Sequence, residues 1–217
     1  TNTADRFNRF SNLWFAGELQ ILGNATANTN ETAGGAANFT PAGGQGIITL
    51  VAGANANVNF GATATFPMSR ANSNSSLATL LIRGTNLGTG GATNSSSAKF
   101  SAGVGFTGQA GAAGTTNRGI LPWVITDTNA AGNGTAFATY DATNGFRPLG
   151  QVAGETVPTL TSLANVATST PLATSAQTFT INSLTLNSAG GLAIASLPVY
   201  SATSGANVVV ITYDAVV

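Results

Sequence analysis

The stretch Gly46–Phe66, GIITLVAGANANVNFGATATF, shows the pattern on which the whole chain is built. An apolar, β-branched run, Gly46–Ala52, ends in a corner of only Gly, Ala and Asn, Gly53–Asn57, and an alternating run, Val58–Phe66, follows. Runs of this length and composition read as strands, and Gly/Asn clusters supply the backbone freedom that a change of direction needs. The corner lacks the Asn-Gly dipeptide that best signals a tight hairpin, so the two strands are expected to round a loose corner.

The same reading extends outward. Leu13–Leu22, Leu77–Arg83, Lys99–Thr107, Ile120–Thr126, Ala136–Tyr140, Thr178–Leu186, Gly191–Leu197 and Asn207–Tyr213 are all strand-length, and helix signals are nearly absent. In Thr178–Leu186 (TFTINSLTL) the alternation slips by one step at Asn182-Ser183, which predicts a bulge or a corner there. The centres of these runs recur about every 10 to 25 residues, a spacing that fits the coils of a parallel β-solenoid or an antiparallel sandwich or jelly roll.

Three features favour the solenoid. Only 6% of the 217 residues are charged, seven Lys+Arg against seven Asp+Glu, whereas a sandwich in water usually solvates its faces with Lys and Glu. Stacked coils can instead present ladders of Asn, Thr and Ser. Asn-Gly turns are scarce: Asn133-Gly134 and Asn144-Gly145 both fall in one atypical segment. The other connections are loose corners such as Gly53–Asn57 and Gly111–Thr116.

That atypical segment, about 115–149, gathers Trp123, Phe137, Tyr140 and Phe146 with Arg118, Asp127, Asp141 and Arg147. It reads as an elaboration on a repeating region spanning 1–150. Residues 151–176, with Pro158 and Pro171 among Thr and Ser, read as a polar connector or irregular coil. A C-terminal strand block, 177–217, follows.

Charge and composition also exclude functions. With no His and no Cys the chain has no Ser-His-Asp triad, no thiolate nucleophile and no imidazole or thiolate metal site. No catalytic residue, cofactor site or metal site is expected. A formal net charge of zero argues against nucleic acid and against an anionic membrane surface. No apolar window is long enough for a transmembrane helix, so no membrane insertion is expected within this chain. The opening Thr1-Asn2-Thr3-Ala4-Asp5 reads as that of a mature or trimmed piece.

Leu13-Trp14-Phe15-Ala16-Gly17-Glu18-Leu19-Gln20-Ile21-Leu22-Gly23-Asn24-Ala25-Thr26 resembles the repeated element of bacterial autotransporter-associated β-strand repeat surface proteins, the passenger type. Leu81–Gly88, Gly119–Ile125 and Phe137–Leu149 resemble, in the same order, segments of these long surface proteins. Glu18 stands where the family more usually has a small residue. The resemblance implies a right-handed parallel β-helix, secretion to the cell exterior, and a part in adhesion, surface coats or extracellular fibres rather than catalysis.

Several residues merit scrutiny. Asp127 and Asp141 flank the aromatic segment and could serve as the acid and base of a glycoside hydrolase, with sugar stacked on Trp123 or Tyr140. The plainer reading has Asp141 accepting the amides of the Asn144-Gly145 turn and Asp127 capping a loop, pairing with Arg118 or Arg147. Arg83, Arg118 and Arg147 read as ligand contacts or, more plainly, as donors to carbonyls at interrupted corners. Trp14 and Trp123 read as carbohydrate platforms or as core. Sequons at Asn24, Asn30, Asn38, Asn74, Asn94 and Asn133 number about what a chain so rich in Asn, Ser and Thr gives by chance.

The expectation is thus a structural subunit of a bacterial extracellular fibre or surface layer whose partners are copies of itself. Val208, Val210, Ile211 and Tyr213 form the candidate assembly strand, and Phe7 and Phe10 the aromatic contacts at the other end. The alternative is a glycan-binding adhesin module that contacts surface glycans through Trp123, Tyr140, Arg118 and Arg147.

Overall fold

A computed structural model describes residues 12–33, 38–62, 78–100, 111–170, 181–186 and 208–211. Every regular element among them is a strand: β1 (Asn12–Leu22), β2 (Thr29–Ala33), β3 (Asn38–Val51), β4 (Val58–Ala62), β5 (Thr79–Gly84), β6 (Ser96–Lys99), β7 (Leu121–Asp127), β8 (Ala136–Asp141), β9 (Gly145–Pro148), β10 (Asn165–Thr168), β11 (Ser183–Leu186) and β12 (Val208–Ile211).

From β1 to β7 successive strands alternate between two sheets. The first runs β1-β3-β5-β7-β8-β9 and the second β2-β4-β6, while a third is β10-β11-β12. Pairing is parallel throughout, except where β8 and β9 fold back antiparallel at the end of the first sheet. The protein is therefore all-β with mixed, mostly parallel sheets, and a wholly antiparallel arrangement is excluded for the described strands.

Period-two alternation explains the packing. In the second sheet Val58, Phe60, Ser96 and Ala98 are buried, while Asn30 is exposed and Asn59 and Ser97 half-buried on the other face. In the first, Ile21, Ile48, Leu50, Leu80 and Ile82 face the same interior, and together they form one core with Phe100, Leu121, Val124 and Phe146. Phe100, just past β6, sets its ring 5.4 Å from Phe60 at 83° and 5.6 Å from Phe146 at 51°. A separate core lies on the third sheet: Val166, Ile181, Leu184 and Leu186, with Val157 and Leu160 against it.

The outward residues pair rung to rung. Asn59 Nδ2 donates to Asn30 Oδ1 at 2.8 Å, across 29 residues of chain, and Ser97 Oγ donates to Asn59 Oδ1 at 2.8 Å, across 38. At the corner before them Asn57 N–H donates to Asn28 Oδ1, and Asn57 Oδ1 accepts from both the N–H and the hydroxyl of Ser95. Asn side chains at such positions bond main-chain groups that a corner would otherwise leave unpaired.

The structure differs from the sequence reading in its polar strands. β2 (TNETA) and β6 (SSAK) are paired strands in stretches too polar to read as such, and β9 and β10 were also missed; β10 lies within the 151–176 stretch. The run read from Lys99 instead begins where β6 ends. Residues 63–66, 101–107, 178–180 and 191–197 of the expected runs lie outside the described residues.

Candidate functional site

Each antiparallel connection includes one of the two Asn-Gly dipeptides: Asn133-Gly134 ends the 128–135 loop just before β8, and Asn144-Gly145 spans the step from the second turn into β9. Asp127 closes β7, and its carboxylate accepts the N–H of Asn129 at 2.8 Å and of Gly134 at 3.1 Å, which folds the loop back toward β8. Arg83 steadies the same loop by donating from Nη1 to the Gly132 carbonyl at 2.9 Å. Asp141 closes β8 and accepts the N–H of Thr143 at 3.1 Å and of Asn144 at 2.6 Å. Gly145 then opens β9 at φ +79°, a conformation that costs an L side chain about 1–2 kcal/mol.

These turns deliver Arg147 to the middle of β9, fully buried. Its Nη1 and Nη2 donate to the two oxygens of Glu155 at 2.7 and 2.6 Å, and its Nε donates to Asp141 at 2.9 Å. Glu155 is itself fully buried and also accepts the N–H of Gly150 at 3.1 Å and of Gly114 at 3.3 Å. Burial by itself would raise the Glu155 carboxyl, but the hydrogen bonds and charge of Arg147, aided by the two amides, outweigh it and hold the carboxyl below its ordinary range. Asp141 is lowered too: burial is outweighed by the turn amides and by Arg147. Arg147 in turn is raised, because its two carboxylates more than offset desolvation.

Arg118 works alongside. It donates to the carbonyl of Gly111 at 3.0 Å, to the hydroxyl of Thr139 at 3.1 Å, and to the carbonyl of Tyr140. Its own carbonyl accepts the Nδ2 groups of Asn165 and Asn182, each at 3.0 Å, and Asn182 Nδ2 also lies 2.6 Å from Asn165 Oδ1. Ser183 donates to the same Asn165 oxygen at 2.7 Å. The slip at Asn182-Ser183 is thus a corner: Asn182 precedes β11 and turns inward to bond, while Ser183 begins the strand.

Of the candidate ligand residues, Arg118 and Arg147 are held by internal partners. Arg118 follows the plain expectation of bonding carbonyls, whereas Arg147 is held chiefly by carboxylates. Trp123, on β7, packs half-buried against the main core, and so does Tyr140, whose ring stands 5.0 Å from Phe146 at 67°. Burial and then the nearby Asp141 charge raise the Tyr140 phenol. Asp127 pairs with neither Arg118 nor Arg147 among the described bonds; Arg147 belongs to Asp141. Asp127 ends β7 beside the start of β8 and Asp141 ends β8, so their backbones lie about five strand residues or ~16 Å apart along β8, against the roughly 5–9.5 Å between the carboxyls of a glycosidase pair.

Val208, Val210 and Ile211 lie on β12, paired with Ser183, Thr185 and Leu186. Trp14 lies on β1, opposite Thr40. Tyr213, Phe7 and Phe10 lie outside the described residues. Among the described residues no three acidic side chains gather as a metal-holding group.

No family model, curated protein or solved structure matches this chain. The reading of the site accordingly rests on its geometry. That geometry joins segments: Arg147 is bonded by Asp141 and Glu155, and Glu155 also by the Gly114 and Gly150 N–H groups. Sequence reasoning missed Glu155, Asn165 and Asn182. The available signal was Glu155 itself, one of seven acidic residues in the chain and set in a stretch otherwise without charge.

Proposed function

We propose that the chain is a structural subunit of a bacterial extracellular fibre or surface layer, built as a parallel β-solenoid and joining copies of itself through its strand ends. One observation carries this reading. Strands β1 to β7 alternate in register between two sheets, so β1 and β2 come to lie as edge strands of their sheets at the same end of the stack. Neither has a second neighbour among the described residues, and β12 is likewise the edge of the third sheet. Edge strands of this kind are templates for pairing with another chain unless charge or covering segments blunt them.

Two features support the reading. The Asn/Ser ladder repeats the same contact at each rung, so a further rung can be added without new chemistry. Charge is scarce and balanced, which leaves little long-range repulsion between copies. Resemblance to the autotransporter-associated repeat family supports a surface location. Contact between unlike ends is heterologous and propagates into a filament or lattice.

Electron microscopy of the purified chain tests the proposal, with ordered filaments or sheets as the expected result. Removal of residues 206–217, with circular dichroism still showing the β-fold, is expected to abolish assembly, and unchanged assembly would refute it. A protein monomeric at high concentration, with glycan binding lost on Trp123→Ala, would replace this reading with that of an adhesin.

A further inference from the structure

We propose that Arg147, Glu155 and Asp141 form an acid-released latch that holds segment 111–118, and through it the third sheet, against the β8–β9 hairpin. On the hairpin side, Glu155 grips both terminal nitrogens of Arg147 and also accepts the Gly114 N–H, while Asp141 takes the remaining Nε. On the other side the same short segment carries the third sheet. The Thr116 carbonyl accepts the Asn165 N–H at 2.6 Å, and the Arg118 carbonyl accepts both Asn165 and Asn182 side chains. Gly114 and Arg118 thus lie on one strap fastened at both faces.

The charged and titratable groups around Glu155 come from each packed element. Arg147 faces it from β9, Asp141 completes the cluster from the end of β8 with the Tyr140 phenol beside it, and Arg118 reaches the β8 backbone from the strap. Within this cluster only the Glu155 and Asp141 carboxyls change charge between neutral and acid pH. Protonating Glu155 turns one acceptor oxygen into a donor, opposes it to an Arg147 N–H or a backbone N–H, and leaves a buried guanidinium with only Asp141 as counter-charge. A buried charge stripped of its partner destabilises its surroundings strongly.

The sign follows from linkage. Because the folded Glu155 and Asp141 carboxyls lie below their unfolded values, their contribution is complete at neutral pH and is lost as pH falls through the folded values. The latch therefore opens on the acid side of the ordinary carboxylate range. β3 and β5 stand in the same sheet as β8 and β9, and their own carboxylate contact, the exposed Glu18 with Thr49 and Arg83, is separate from the cluster.

Hydrogen exchange on the intact protein, from about pH 7 to about pH 3 and corrected for the intrinsic pH dependence of exchange, tests this. Peptides covering 111–118 and 150–168 are expected to lose protection by about a hundredfold before those of β3 and β5 change. Loss of protection at a single common midpoint would overturn the proposal. A triple variant, Arg147→Met with Glu155→Leu and Asp141→Asn, removes the charges while Asn keeps the turn cap, and the early acid phase is expected to vanish. Its persistence unchanged would equally overturn the proposal. Should the variant fail to fold, the exchange profile of the unmodified protein decides alone.

Discussion

Replacing Phe100 by Ala offers the sharpest test of how the two main sheets are held together. Phe100 has no exposed surface and touches Phe60 of β4 on one side and Phe146 of β9 on the other, so one ring bridges the second sheet and the antiparallel end of the first. Truncating a buried Phe costs about 3–5 kcal/mol, because lost transfer energy adds to the cavity left behind. Edge and tilted ring contacts account for about 0.5–1.5 kcal/mol each. Phe100→Leu keeps most of the burial and loses both ring contacts, so it should cost about 1–2 kcal/mol. Against a total stability of about 5–15 kcal/mol, the Ala variant should lose a large share of its urea midpoint at unchanged slope. Equilibrium urea unfolding, followed by far-ultraviolet circular dichroism and by tryptophan fluorescence, measures both. A loss below about 1 kcal/mol for Phe100→Ala, or equal losses for Ala and Leu, would refute the bridging role assigned to the ring.

Three further substitutions probe corners, turns and interior. Asn57→Ala removes the acceptor of Ser95 and the donor to the carbonyls of Gly91 and Ala92, and should cost about 1–3 kcal/mol in thermal or urea unfolding, well above Asn59→Ala on the exposed ladder. Gly145→Ala combines φ +79° with a Cβ that would sit 2.2 Å from the Ala98 carbonyl oxygen, so a loss of at least about 2 kcal/mol is expected, with the β8–β9 amides the first to exchange. Ser96→Ala should be neutral or stabilise by up to about 1–2 kcal/mol, because its hydroxyl is the one buried side-chain polar atom among the described residues without a hydrogen-bond partner; clear destabilisation would reveal an undetected one.

Legibility in the sequence varied with how local the physical cause was. The hairpins at Asn133-Gly134 and Asn144-Gly145 were readable because positive φ is a demand on single residues, and Asp127 and Asp141 cap their turns within seven residues. The corner at Asn182-Ser183 was readable as a break in alternation. β2 and β6 were not, since only half of a strand's residues face the core, and here some of those are Thr29, Glu31 and Ser96. Their pairing depends on neighbours 29 and 38 residues away. A polar run with such distant partners carries no local sign that it is a strand.

The sequence by itself determined that the chain is all-β, where its antiparallel turns lie, and which catalytic chemistries it lacks, because each follows from residue type and short-range spacing. Only the tertiary structure decided that the sheets are mostly parallel, that Arg147 belongs to Asp141 and Glu155, and that Asn165 and Asn182 meet at one carbonyl. Parallel pairing and buried ion pairs join groups whose separation along the chain carries no periodic signal. A buried charge keeps its charge only where a partner arrives to face it, and which partner arrives is set by the whole fold.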